Sequence, residues 1–210
     1  MTRGRPASSP ISREAIVEAA LALVDANGMA NLSMRKLGAE LGIDGSSLYH
    51  YFSGKDEIID AITARVLSHI RPHTGPIDDW KTYLVETCLK VRRAVAVHPN
   101  ITPALTARRQ WRFGLAVFED TAQVMSANGI DPAYQLVIWE SLDALTVGSA
   151  LLTTSAAWAT SEIAAFESTF PAVYEAVHAD RVDEETALEL SARAFLTGIE
   201  VVLGSGRPQQ

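Results

Sequence analysis

Residues 32–55 read Leu-Ser-Met-Arg-Lys-Leu-Gly-Ala-Glu-Leu-Gly-Ile-Asp-Gly-Ser-Ser-Leu-Tyr-His-Tyr-Phe-Ser-Gly-Lys, and this stretch constrains the fold more than any other. Ser33 can cap a helix over residues 34–41. Leu37 and Leu41, four apart, fall on its inner face, and Gly42 ends it. Asp44 can cap a second helix of barely two turns that carries Ser46, Ser47, Leu48, Tyr49, His50 and Tyr51. Leu32, Leu37, Leu41, Ile43 and Leu48 supply the apolar contacts between the two. Two short helices across a tight turn, with polar and aromatic groups crowded onto the second, have the layout of a helix-turn-helix. The second helix of that motif enters the DNA major groove.

The flanking sequence completes a small helical unit. Ser12 is a suitable N-cap, with Glu14 in the first turn where the helix dipole favours an anion. Ile16, Ala20 and Leu23 follow at helical spacing, and Gly28 stands at the C-terminal stop. Ser53-Gly-Lys-Asp56 has the capping-box pattern and starts a further helix expected to run to about residue 70, before Pro72. Residues 71–77 form a Pro/Gly link. Beyond it the pattern is helical over about 79–97, 101–107, 109–127, 132–156, 161–179 and 183–203. Asp131-Pro132 is an N-cap followed by proline at the first helical position. No alternating strand pattern appears, so an all-α fold is expected. It comprises a basic arm (1–10), a helix-turn-helix domain with its connecting helix (11–70) and a second helical domain (78–204).

The net charge of −7 agrees with nucleic-acid binding only when it is divided along the chain. Residues 1–55 hold six basic and five acidic residues, net +1, and residues 56–210 hold twelve and twenty, net −8. Binding depends on the local footprint rather than the total. Hydrophobic residues make up 48%, enough for a packed core. One cysteine, Cys88, excludes an internal disulfide and suits a reducing, cytoplasmic setting. No leader is expected, and residues 136–152, the most apolar long segment, contain Glu140 and Asp143, so no membrane span is expected. His50, His69, His73, His98 and His178 make no metal motif, because Pro72 interrupts the one pair four apart. No phosphate loop, dinucleotide fingerprint or nucleophile elbow occurs. An enzyme, a metal site and a cofactor are therefore not expected.

From Ser33 to Glu57 the sequence, with its Leu-Tyr-His-Tyr-Phe-Ser-Gly-Lys run after a glycine-containing turn, resembles the DNA-binding domain of the TetR (tetracycline repressor) family. The resemblance covers about residues 12–65. It implies that Ser33 and Arg35 contact phosphate, with Arg35 within reach of a base. It further implies that Ser46, Ser47 and His50 face base edges or phosphates, and that Tyr49 and Tyr51 give their hydroxyls to phosphates. Lys55 would pair with a phosphate at a helix N-terminus. Tyr49 is expected to pack its ring inward, and Phe52 to be core. Gly45 departs from the family pattern, because relatives often carry a base-reading side chain there; reading then shifts to Ser46, Ser47, His50 and Arg35. In the arm, Arg3-Gly4-Arg5-Pro6 resembles the core of an AT-hook, which lies in a narrow minor groove.

A lone helix-turn-helix grips half a site, so the reader must be paired. The resemblance implies that the last long helices of two subunits form a four-helix bundle. Leu145, Gly148 and Leu152 on one helix and Phe195, Gly198, Ile199 and Val202 on the other are the expected contacts. It also implies a pocket among the middle helices, for which Trp80, Tyr83, Trp111, Phe118 and Trp139 suit an apolar or aromatic small molecule. The expected protein is a homodimeric repressor that binds a palindromic operator and is released by that molecule. The alternative is a DNA-binding regulator whose second domain is filled and answers to a protein partner, or to no ligand.

Overall fold

The computed structural model describes residues 11–68, 70, 77, 79–107, 111–154, 167–180 and 182–205. Among these, nine α-helices and three short 3-10 segments form, and no strand. The helices are α1 (Arg13–Asn27), α2 (Met34–Glu40), α3 (Lys55–Leu67), α4 (Trp80–Val97), α5 (Thr102–Ala107), α6 (Trp111–Ala127), α7 (Pro132–Thr154), α8 (Pro171–His178) and α9 (Glu184–Ser205). None of the described helices is long and apolar enough to cross a membrane.

The described residues fall into two compact units. The first joins those before residue 69 to a returning segment after Asn100, and the second holds residues 70–99 and those from Gly114 onward. In the first unit, Ser12 Oγ accepts from the Ala15 N–H (3.1 Å), and Gly28 ends α1 at φ +77°, a left-handed value that favours glycine. Ile16, Ala20 and Val24 of α1, Leu37 of α2, and Ile58 and Ile62 of α3 are buried. α1 packs on both α2 and α3.

Two local expectations are corrected. The helix expected from Ser53 starts at Lys55 with Gly54 as its N-cap and no side-chain cap. Ser53 lies one residue outside the cap, so Glu57 rather than Asp56 closes back on it: Glu57 Oε2 accepts from the Ser53 N–H (2.7 Å). That helix ends at Leu67 instead of about residue 70. The segment after α4 also returns to the first unit. Asn100 Nδ2 donates to the Asp25 carbonyl oxygen (2.9 Å), Ile101 and Thr102 are buried, and α5 packs on α3. A single boundary at 71–77 does not anticipate this return.

In the second unit, α4, α7 and α9 pack pairwise around Trp80, Leu84, Cys88, Ile138, Leu142 and Leu196. Ion pairs set α9 antiparallel to α4: Lys81 to Glu200 (2.6 Å) at one end and Arg93 to Glu185 (2.6 Å) at the other. Such exposed pairs each add about 0–1 kcal/mol, so they set register more than stability. Arg92 is buried, and it donates from Nε to Ser149 Oγ (3.0 Å) and from Nη2 to Glu184 Oε2 (2.7 Å), tying the three helices together.

Candidate nucleic-acid interface

The geometry of the turn rests on two glycines. A Cβ added at Gly38, in the middle of α2, would lie 2.7 Å from the Gly45 nitrogen, 2.8 Å from its Cα and 2.9 Å from the Ile43 carbonyl oxygen. One added at Gly45 would lie 2.9 Å from the Met34 carbonyl oxygen and 3.1 Å from the Arg35 Cα. The α2 backbone and the segment after the turn therefore touch without side chains between them. Gly42 makes the turn at φ +67°, and the Ile43 N–H returns to the Gly38 carbonyl oxygen (2.9 Å). Gly45 is thus a close-approach residue in this chain.

The segment after the turn, Gly45–His50, is a 3-10 helix rather than the short α-helix expected. Its Gly-Ser-Ser start is a poor α-helix former, and the 3-10 bonds it makes instead are of poorer geometry, so the segment depends on its surroundings to hold it. Asp44 Oδ1 accepts from the Ser46 N–H (2.8 Å), and that backbone bond holds the Asp44 carboxyl below its ordinary pKa. Leu48 and Phe52 point inward and are fully buried.

The remaining side chains are left outside. Ser46 and His50 are exposed, and Ser47 and Tyr51 are half-buried. Tyr49 is 58% exposed, so its ring does not pack inward as expected; the buried positions flanking it, Leu48 and Phe52, fill the core side of this segment. Arg35 and Lys36 are exposed on α2, beside Ser33, whose Oγ accepts from the Lys36 N–H (3.2 Å). Lys36 Nζ donates to Asn31 Oδ1 (2.8 Å), and Lys55 Nζ to the Met29 carbonyl oxygen (3.3 Å). Arg3 and Arg5 lie outside the described residues.

Sequence reasoning missed Arg13. Its Nη1 donates to the Tyr51 carbonyl oxygen, its Nη2 to Glu57 Oε1 (2.6 Å), and its Cζ lies 4.0 Å from the centre of the Phe52 ring. The Ser53 N–H, then Arg13, hold the Glu57 carboxyl down to about 2. The spacing of Ser53 and Glu57, four rather than three, was the one local signal of this network.

In the second unit, Trp80 is buried in the core, and Tyr83 packs against that core and donates its hydroxyl to Asp120 Oδ2. Phe118 and Trp139 are half-buried, with ring centres 5.0 Å apart and planes tilted by 57°. The side chains of Trp111 and Leu152 lie outside the described residues. Leu145, Phe195 and Ile199 are partly buried against the protomer's own core, Gly148 is half-buried, and Gly198 and Val202 are exposed.

Comparison with known proteins finds relatives of the first unit and of the fold. Residues 16–62 match the family described as bacterial regulatory proteins, tetR family. The chain is 25% identical to the tetracycline repressor protein class D of Escherichia coli over 92% of its own length and 91% of that protein's. It is 41% identical to the HTH-type transcriptional repressor DrrR1 of Streptomyces coeruleorubidus, over 47% of this chain and 38% of that one. ActR from Streptomyces coelicolor shares the fold at 22% identity. Its apo form gives a TM-score of 0.81 over 96% of this chain and 100% of that one, and its complex with actinorhodin gives 0.78 over 95% and 100%.

Proposed function

We propose that this chain, a DNA-binding transcriptional regulator of the TetR family, works as a homodimeric repressor that grips a palindromic operator and lets go when an apolar or aromatic small molecule binds. The observation that carries the DNA-reading part is the bare contact between Gly38 and Gly45. It holds the short helix against α2 so that Ser46, Tyr49 and His50 stand exposed on one element, with Arg35 and Lys36 exposed on the other.

The roles divide by chemistry. Arg35, Tyr49, Tyr51 and Lys55 reach phosphates and set register; Ser46, Ser47 and His50 read base edges. Arg3 and Arg5 extend the contact into the minor groove. Pairing is supported by Gly148 and Gly198. Among the described residues a Cβ at either would meet nothing within 4 Å, so the packing described gives no reason for glycine inside α7 and α9. Exposed Leu136 and Val137 on α7 and Leu190 and Val202 on α9 supply apolar surface for a partner copy. The effector reading is supported by the Phe118–Trp139 ring pair and the Tyr83–Asp120 hydrogen bond among α4, α6 and α7, and by the actinorhodin complex of a protein with this fold. The burial of Trp80 within a packed cluster favours the second reading, a filled domain that answers to a protein partner or to no ligand.

The test compares the full chain with His50→Ala and Arg35→Ala on two duplexes: one that the wild-type chain selects from random-sequence DNA, and a scrambled one. His50→Ala is expected to lose about tenfold or more on the selected duplex and little on the scrambled one, relaxing preference at one or two positions. Arg35→Ala is expected to weaken both and to reduce the slope of log K against log salt by about 1. Equal affinity of all three proteins for both duplexes would remove this surface from DNA recognition.

A further inference from the structure

Arg13 opens α1, yet its side chain bonds to groups 38 and 44 residues further along. The Tyr51 carbonyl oxygen to which it donates belongs to the residue that closes the recognition segment, where a helix leaves carbonyls without internal partners. The same guanidinium lies on the Phe52 ring, whose burial anchors that end of the segment. Glu57 takes the other arm of Arg13 on one carboxylate oxygen and the Ser53 N–H on the other. One cation and one anion therefore join the start of α1, the end of the recognition segment and the first turn of α3. No described bond links either of them to Ser46, Ser47, Tyr49 or His50.

We infer that Arg13 and Glu57 are positioning residues for DNA recognition: they fix the last turn of the segment, and with it the directions of Tyr49, His50 and Tyr51 relative to Lys55. The inference rests on the DNA-reading function proposed above. Its physical basis is the weakness of a six-residue 3-10 helix on its own. The start of this one is set by the Asp44 cap and by Gly45 against α2, and its end by Phe52 and this network.

Glu57→Gln separates positioning from simple electrostatics by sign. Removing a carboxylate from a DNA-facing unit, and freeing the arginine beside it, should strengthen binding to a polyanion if charge alone matters. Loss of positioning weakens it. The full-length wild type, Glu57→Gln, Arg13→Gln and the double variant are titrated with a duplex selected by the wild type from random-sequence DNA and with a scrambled duplex of equal length. Expected are a loss of about tenfold or more on the selected duplex for each single variant, and no comparable loss on the scrambled one. The salt slope should not change, and the double variant should be no worse than the poorer single one. Hydrogen exchange at the Ser53 amide should quicken in free Glu57→Gln, with melting curves verifying that the variants are folded. If Arg13→Gln does not fold, Glu57→Gln decides alone. Equal or tighter binding by Glu57→Gln overturns the inference. So does a loss in Arg13→Gln that is equal on both duplexes with the slope reduced by about 1, which makes Arg13 a phosphate contact. A wild-type chain that enriches no sequence overturns the DNA-reading function and the inference with it; enrichment by wild type with unaffected variants overturns the inference alone.

Discussion

Gly38→Ala is expected to abolish sequence-specific DNA binding and to lower the melting temperature of the chain, and Gly45→Ala is expected to do the same. Either methyl group would stand within 3 Å of backbone on the facing element: the Gly45 nitrogen and Cα for the first, the Met34 carbonyl oxygen for the second. No flexible side chain can yield there, so the two elements must part. Overpacking of this kind costs about 1–3 kcal/mol. Alanine inside α2 returns about 1 kcal/mol through helix propensity, which leaves the clash dominant. The functional loss exceeds the stability loss, because parting the elements moves Ser46 and His50 away from Arg35. Affinity for a selected duplex and a thermal melt check both. Unchanged affinity in both variants would show that this contact does not set the reading geometry.

The second large effect lies at the proposed dimer face. Gly198→Glu and Gly148→Glu are expected to leave each protomer folded but monomeric, and to weaken operator binding on the order of a thousandfold, as one half-site replaces two. Among the described residues a Cβ at either position meets nothing within 4 Å, so the first atom of the new side chain finds room in the protomer. Gly198→Ala gives a finer form of the test. It should raise protomer stability by about 1 kcal/mol through helix propensity while weakening self-association. Sedimentation of each variant, with a melt of the monomer at low concentration, separates the two signs. A dimer that persists in both glutamate variants would place the pairing surface elsewhere.

What the sequence made legible was local. Ser12, Ser33 and Asp44 cap their elements as their positions suggested, and Gly28 and Gly42 take left-handed turns at φ +77° and +67°. Each is settled within four residues of itself. Three features depended on contacts across the fold. Gly38 looks like a weak helix residue until Gly45 is brought against it. Arg13 looks like an ordinary first-turn charge until Tyr51 and Glu57 arrive. The segment after α4 resembles a continuation of its own domain until Asn100 reaches the end of α1. Tyr49 was misjudged for a related reason. Leu48 and Phe52 fill the inward side of the recognition segment, and a 3-10 turn rotates the residue between them outward.

Pairing on a symmetric site is the central claim. Selection of random-sequence DNA by the full-length chain, followed by sedimentation of the complex with the enriched duplex, tests it most directly. An inverted repeat is predicted, with half-site centres about 10 base pairs apart or a multiple of that, bound by two chains. Enrichment of a single asymmetric site occupied by one chain would contradict it.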